Sequence, residues 1–299
     1  MTQTNQLKIE VTVNYLQVIL EEKLKILCVL ILAFCAGVYI ALGKQNIYES
    51  EVKVFSNTEK TFDVQNALGG IASIAGINLN SDSKSNIAIE KLQSRVFING
   101  FIKENSLEPL LLAIEKWDEN SRNVIFDPML YDNNKAIWVR DLEKYRTVEP
   151  TDIELYEKFK KSLSVVQDKD TGVVVVSFRH QSPDVAKLIC EKIVQKINLD
   201  MRKADIAEYN RSMEYIKKSL AQVSVVDLKN VLLNIYQEQQ KNLMLAELND
   251  DYAYRIIDPA YTPEKKVLPN RMLIVIFALA IGFVISMLIV AVRIQLNAR

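Results

Sequence analysis

"YTPEKKVLPNRMLIVIFALAIGFVISMLIVAVR", residues 261–293, decides how this chain is read. Its first part carries Pro263 and Pro269, with Pro259 just upstream. Its second part holds 21 residues without a charge, between Arg271 and Arg293. Proline fixes φ and resists helix formation, so a stiffened link runs straight into an apolar block. A matching block lies near the other end, where the 18 residues between Lys25 and Lys44 are also uncharged. At about 1.5 Å per residue the two runs reach about 31 and 27 Å, near the ~30 Å hydrocarbon thickness of a bilayer. No other apolar run approaches that length. The expectation is two transmembrane helices, 26–43 and 272–292.

The residues before the first span include Glu10, Glu21 and Glu22, which is too long and acidic a region for a cleaved signal peptide. Lys23 and Lys25 precede the first span, and Arg293 and Arg299 follow the second. Flanking cations favour the cytoplasm, so tails 1–25 and 293–299 are expected there and 44–271 outside it. Lys265, Lys266 and Arg271 vote the other way.

Both spans carry small residues at intervals of four: Ala33, Gly37 and Ala41 in the first, Ala278, Gly282 and Ser286 in the second. Such stripes let helices approach closely in lipid, where hydrophobicity gives no drive. Pairing within one chain and pairing between chains are both open at this point.

The middle region reads as α+β. Residues 47–56 alternate apolar and polar, as a strand does. "ALGGIASIAGINL" then brings Gly69, Gly70 and Gly76 without a charge. It lacks the Lys-Ser/Thr end of a phosphate-binding loop. Residues 85–105 have helical spacing, with Ile89, Leu92, Val96 and Phe97 on one side, and 107–114 form a second helical stretch. Thr151 caps a helix with an acidic first turn. "LSVVQDKDTGVVVVSFRH" is a hairpin whose β-branched run, 173–176, belongs in a central strand. Ser182 and Pro183 open a helix that no Gly or Pro interrupts before Leu220. As one helix it extends roughly 55 Å. After a break at "QVSVVD" a second helix covers about 227–248, and "YAYRIIDPA" is a returning strand. The expected architecture is a base, about 44–182 and 251–271, with a helical arm, about 183–250.

Chemistry is sparse. Basic and acidic residues balance at 37 each, which gives no sign of nucleic-acid binding. The only histidine is His180, read as a surface or strand-end residue, and one histidine builds no His-based metal site. Cys190 reads as a small core residue. Neither a Walker sequence nor a GxSxG elbow is present. No catalytic residue, metal or cofactor is expected.

Taken together, the terminal spans, the strand after the first, the "LGGIASIAGI" segment, the hairpin feeding a long "SP..A" helix, and "DPAYTPEKKVLPNR" before Gly282 resemble the polysaccharide co-polymerases. These are the Wzz-type chain-length determinants of the bacterial inner membrane. The resemblance spans almost the whole chain. It implies a homo-oligomer ringed in the membrane lipid, its periplasmic arms forming a bell. Such a ring sets the modal length of a lipid-linked glycan made by a Wzy-type polymerase. Pro259, Pro263, Pro269 and Gly282 carry over from the family pattern, and Gly69, Gly70 and Gly76 more loosely. The arm looks shorter than in the longer members. Only "IQLNAR" follows Arg293, with no tyrosine-kinase domain, which favours the O-antigen branch. A two-span sensor, an anchored periplasmic enzyme and an export adaptor are the competing readings.

Overall fold

The computed structural model describes residues 23–56 and 82–297. Gly69, Gly70 and Gly76 lie outside the described residues, as do most of the N-terminal tail and Arg299. In chain order the elements are α1 (Lys23–Gly43), β1 (Tyr48–Ser56), α2 (Asp82–Gln93), α3 (Arg95–Glu104), α4 (Glu108–Leu112), β2 (Ile114–Asp118), β3 (Asn123–Phe126), β4 (Tyr131–Asp132), β5 (Ile137–Trp138), α5 (Asp152–Ser162), β6 (Leu163–Gln167), β7 (Val173–His180), α6 (Pro183–Gln222), α7 (Val226–Leu248), β8 (Tyr254–Asp258) and α8 (Arg271–Asn297). They fall into two compact units, one of residues near both chain ends and one of Tyr48–Lys265.

The larger unit is α+β. Its main sheet has strand order β6-β7-β1-β8, antiparallel throughout. The hairpin turn places Gly172 at φ +73°, a conformation glycine adopts without a Cβ penalty. Period-two alternation sends Tyr48, Ser50, Val52 and Val54 of β1 to the same side as Val174, Val176 and Phe178 of β7, and all are buried. That face carries α6, whose Val185, Ile189, Ile193 and Ile197 are spaced to cover it and are buried in the same core. Each such side chain contributes about 1.5–3 kcal/mol on full burial.

Caps set the helix starts. Ser182 accepts from the Val185 N–H, with Pro183 at the first helical position. Thr151 and Glu154 form a reciprocal capping box at α5. The stretch expected as one helix over 85–105 is two, because Ser94 breaks α2 and accepts from the Phe97 N–H to start α3. The break rotates the apolar face. Val96 is therefore 88% exposed, and Phe97, Ile98, Phe101 and Ile102 enter the core instead.

The first turns of α6, as far as Met201, belong to the core of this unit. Beyond them α6 pairs with α7, which returns after a break at 223–225. Arg202 reaches Asp250 at 2.6 Å, and the Tyr252 hydroxyl donates to Asp205 at 2.6 Å. The pairing is thus antiparallel, a helical hairpin with its root at the sheet.

The smaller unit is a helix pair. Its α1 and α8 contain segments of 18 and 22 residues, Ile26–Gly43 and Arg271–Val292, long and apolar enough to cross a membrane. Most of their surface is exposed, including Leu32, Phe34, Tyr39, Phe277 and Ile281. Large apolar side chains on the outside of a helix pair suit lipid as solvent.

Candidate functional site

The two small-residue stripes face each other within one chain. A Cβ built on Gly37 would lie 2.7 Å from the Ala278 Cβ, and one on Gly282 would lie 2.5 Å from the Ala33 Cβ. No real Cβ fits at that separation, so glycine is what lets the backbones approach. Ala41 and Ser286 extend the contact and are buried, with the Ser286 hydroxyl donating to the Phe283 carbonyl at 2.7 Å. The positions are antiparallel, 33 opposite 282 and 37 opposite 278.

One end of this pair is closed by a backbone bridge. The Ile47 N–H donates to the Leu268 carbonyl at 2.9 Å, and the Ile47 carbonyl accepts from Val267 at 2.8 Å. Asn46 lies beside it. Its Oδ1 accepts from Lys266 Nζ at 3.0 Å and from Arg271 Nη2 at 3.2 Å. Pro269 directly follows this bridge, and its peptide bond with Leu268 is cis. Asn270 then starts α8, its Oδ1 accepting from the Leu273 N–H at 3.3 Å.

The other two prolines belong to the larger unit. Pro259 is exposed just past β8, and Pro263 is buried. Between them the Tyr261 carbonyl accepts from the Ser50 hydroxyl at 2.7 Å, which holds the link beside β1. The three prolines therefore do not converge on one point; they punctuate a segment tied down at Tyr261 and again at Leu268.

The buried polar groups of the larger unit serve packing. His180 ends β7, as the strand-end reading has it, but it is buried and not at the surface, because that strand end lies under α4. The Ser182 N–H donates to its Nδ1 at 3.0 Å, so Nε2 carries the proton and donates to the Leu110 carbonyl at 2.8 Å. Burial lowers its pKa from the usual imidazole value. Cys190 Sγ donates to the Ser50 carbonyl at 3.2 Å, and burial pushes the thiol up to about 12, so it is inert as a nucleophile. Asn198, also buried, donates to the Tyr254 carbonyl at 2.8 Å and accepts from the Ala253 and Tyr254 N–H groups.

Arg140 is 7% exposed and forms a bidentate pair with Glu154 at 2.9 and 3.2 Å. Its guanidinium lies 3.9 Å from the Tyr145 ring centroid. The hydrogen bond from Arg140, then those from Thr151, hold the Glu154 carboxyl below its ordinary pKa. A pocket of about 250 Å³ opens beside them, lined also by Trp138, Lys158 and Lys161. Among the described residues no group of three or more His, Cys, Asp and Glu side chains is placed to hold a metal ion.

Sequence reasoning passed over Asn46, Arg140 and Asn198. Asn46 had a usable signal, a polar side chain just after a span and just before a strand. Asn198 is an amide in line with the buried stripe of α6, one residue after Ile197. Arg140 had none, because its partner Glu154 sits across an irregular stretch.

Comparison with known proteins adds the following. Residues 220–295 match the family model described as GNVR, the G-rich domain on putative tyrosine kinase. The chain resembles the polysaccharide co-polymerases. A solved full-length bacterial polysaccharide co-polymerase is 14% identical, with 95% of this chain and 97% of that one covered and a TM-score of 0.42. A fragment of WzzB, a polysaccharide co-polymerase from Salmonella Typhimurium, is 12% identical over 75% of this chain and 100% of its own, with a TM-score of 0.32. No curated protein matches by sequence. The matched family segment takes in the returning helix α7, β8, the proline-bearing link and most of α8.

Proposed function

We propose that this chain is a non-enzymatic regulator of polysaccharide chain length, working as an oligomeric inner-membrane co-polymerase beside a separate Wzy-type polymerase. The observation that carries the reading is the family match over residues 220–295, joined to a chain in which α1 and α8 are both apolar enough to span a bilayer. Both termini are cytoplasmic and the larger unit is periplasmic. The polymer whose length is set is lipopolysaccharide O-antigen, assembled on a lipid carrier.

The buried titratable groups fit a scaffold better than an enzyme. Cys190 and His180 are each committed to hydrogen bonds with backbone carbonyls, and Arg140 to its ion pair with Glu154. Self-association is supported by the outer part of the arm. Val225, Val226, Leu228 and Val231 are 43–70% exposed there, more apolar surface than a hairpin tip needs in water.

Since α1 and α8 fill each other's stripes, copies of the chain meet through other surfaces. Each chain then enters the ring as a pre-formed two-helix anchor.

Deletion of the gene tests the reading. The expected outcome is lipopolysaccharide of unchanged total amount whose length distribution has lost its mode. Unchanged banding overturns it. A sensor or an export adaptor, the competing readings, predicts normal banding.

A further inference from the structure

We propose that the bridged end of the helix pair binds a lipid phosphate, held by Lys44, Lys266 and Arg271. The inference rests on the membrane residence proposed above and not on chain-length control.

Charge comes first. The described residues of the smaller unit, 23–47 and 266–297, contain no Asp or Glu. Their cations divide by position: Lys23, Lys25 and Arg293 at one end, Lys44, Lys266 and Arg271 at the other. Cations near spans are depleted on the translocated side, because they resist export. One end of the pair must face that side whichever way the chain is inserted. Among the described residues of this unit the cations there have no carboxylate to offset them.

Geometry comes second. These side chains are gathered rather than scattered. The Ile47–Leu268 bridge closes the two segments on one another. Asn46 Oδ1 then accepts from both Lys266 and Arg271, at 3.0 and 3.2 Å. A single neutral oxygen between two cations offsets little of their repulsion, which a negative group relieves. Among the described residues, the Arg271 Nε is buried and has no hydrogen-bond partner. An unpaired buried donor on a cation costs free energy until an acceptor arrives. Arg271 is the first residue of α8, where the free backbone N–H groups and the helix dipole also favour an anion. Lys44 directly follows α1, two residues before Asn46, and is exposed.

The chemistry names the ligand class. At the end of a membrane span the anion at hand is a phosphate ester, and a guanidinium beside ammonium groups matches its oxygens. Two sources offer that group: the headgroup of a bilayer phospholipid, and the pyrophosphate of a polyprenyl lipid that carries a glycan.

The test uses the full chain in a neutral detergent, with retained lipid read by native mass spectrometry. Four probes are added singly: phosphatidylglycerol, diacylglycerol, a polyprenyl pyrophosphate and the matching polyprenol. The phosphate-bearing lipids should be retained and their phosphate-free counterparts lost. The double change Lys266→Gln with Arg271→Gln should lower retention about ten-fold or more. Lys266→Gln alone, at an exposed position, should lower it less, and Lys23→Gln at the opposite end should leave it unchanged. Preference for the pyrophosphate assigns the site to a glycan carrier, and equal retention assigns it to bilayer headgroups. Retention that ignores the phosphate, or that survives the double change in folded protein, overturns the proposal. Glycan banding is not part of this readout, so a failure of the chain-length reading would leave the result standing.

Discussion

Gly282 and Ala33 are neighbours across the helix pair: a Cβ on the glycine would sit 2.5 Å from the Cβ of the alanine. A methyl group forces the helices apart at that point and loosens the packing on either side. Gly282→Leu should therefore destabilise the pair by about 1–3 kcal/mol, the range for overfilling a packed contact. Thermal unfolding of the full chain in detergent checks this. An unchanged melting temperature would mean that the close approach carries no weight.

Asn198 ties the root of α6 to the returning strand through three backbone groups of Ala253 and Tyr254. Asn198→Leu removes all three partners in a buried place, with each orphaned group costing about 1–3 kcal/mol. The loss should far exceed that of Asn210→Leu, an exposed position further along the same helix. Equal denaturation midpoints for the two variants would refute the role given to Asn198.

The His180 imidazole gives a pH signature. Burial holds its pKa below the ordinary value, so the unfolded chain binds the proton first as pH falls. Its contribution is complete above about pH 6.5 and is lost progressively below it. Protonation also removes the acceptor that Nδ1 offers the Ser182 N–H. Denaturant midpoints taken from pH 8 to pH 5 should fall more steeply for the natural chain than for His180→Asn. Parallel profiles would place the pH sensitivity elsewhere.

Arg140 and Glu154 make a second, more acidic signature. The carboxyl is held below its ordinary range chiefly by the Arg140 hydrogen bond, so the pair stabilises above the unfolded carboxyl range. That support disappears as pH falls through the lower folded value. Glu154→Gln should cost about 1–3 kcal/mol at neutral pH, because Arg140 stays buried and loses its charged partner. Replacing both, Arg140→Met with Glu154→Leu, should cost less than the single change. A double variant worse than the single would show that the pair itself is stabilising.

The caps and the hairpin were legible in the residues because their causes are local. Ser182 with Pro183, Thr151 with Glu154, and the "DKDTG" turn each act within a few positions, so reading the sequence locates them. Residues 117–147 show no readable hydrophobic period, for a related reason. Their strands are only two to five residues long, too short for any period to show. A signal was nonetheless present. Asp118, Asp127, Asp132 and Asp141 each accept from the backbone N–H two residues on, the mark of an Asx turn. Four aspartates opening four turns spell out the irregular segment that hydrophobic spacing misses. Val96 failed differently. Its helical phase was inferred across Ser94, and a break of one residue sends the next helix round by about 100°.

Sequence alone determined the two long apolar helices, the strands of the four-stranded sheet and the small-residue stripes, since chain length, alternation and spacing are written along one dimension. Only the tertiary structure decided that the stripes close on each other inside a single chain. It likewise buried His180 beneath α4, and it brought Asn46 between Lys266 and Arg271. These pairings join residues separated by 70 to more than 200 positions. Nothing in local propensity selects such partners; the shared burial of apolar faces and the satisfaction of buried polar groups do.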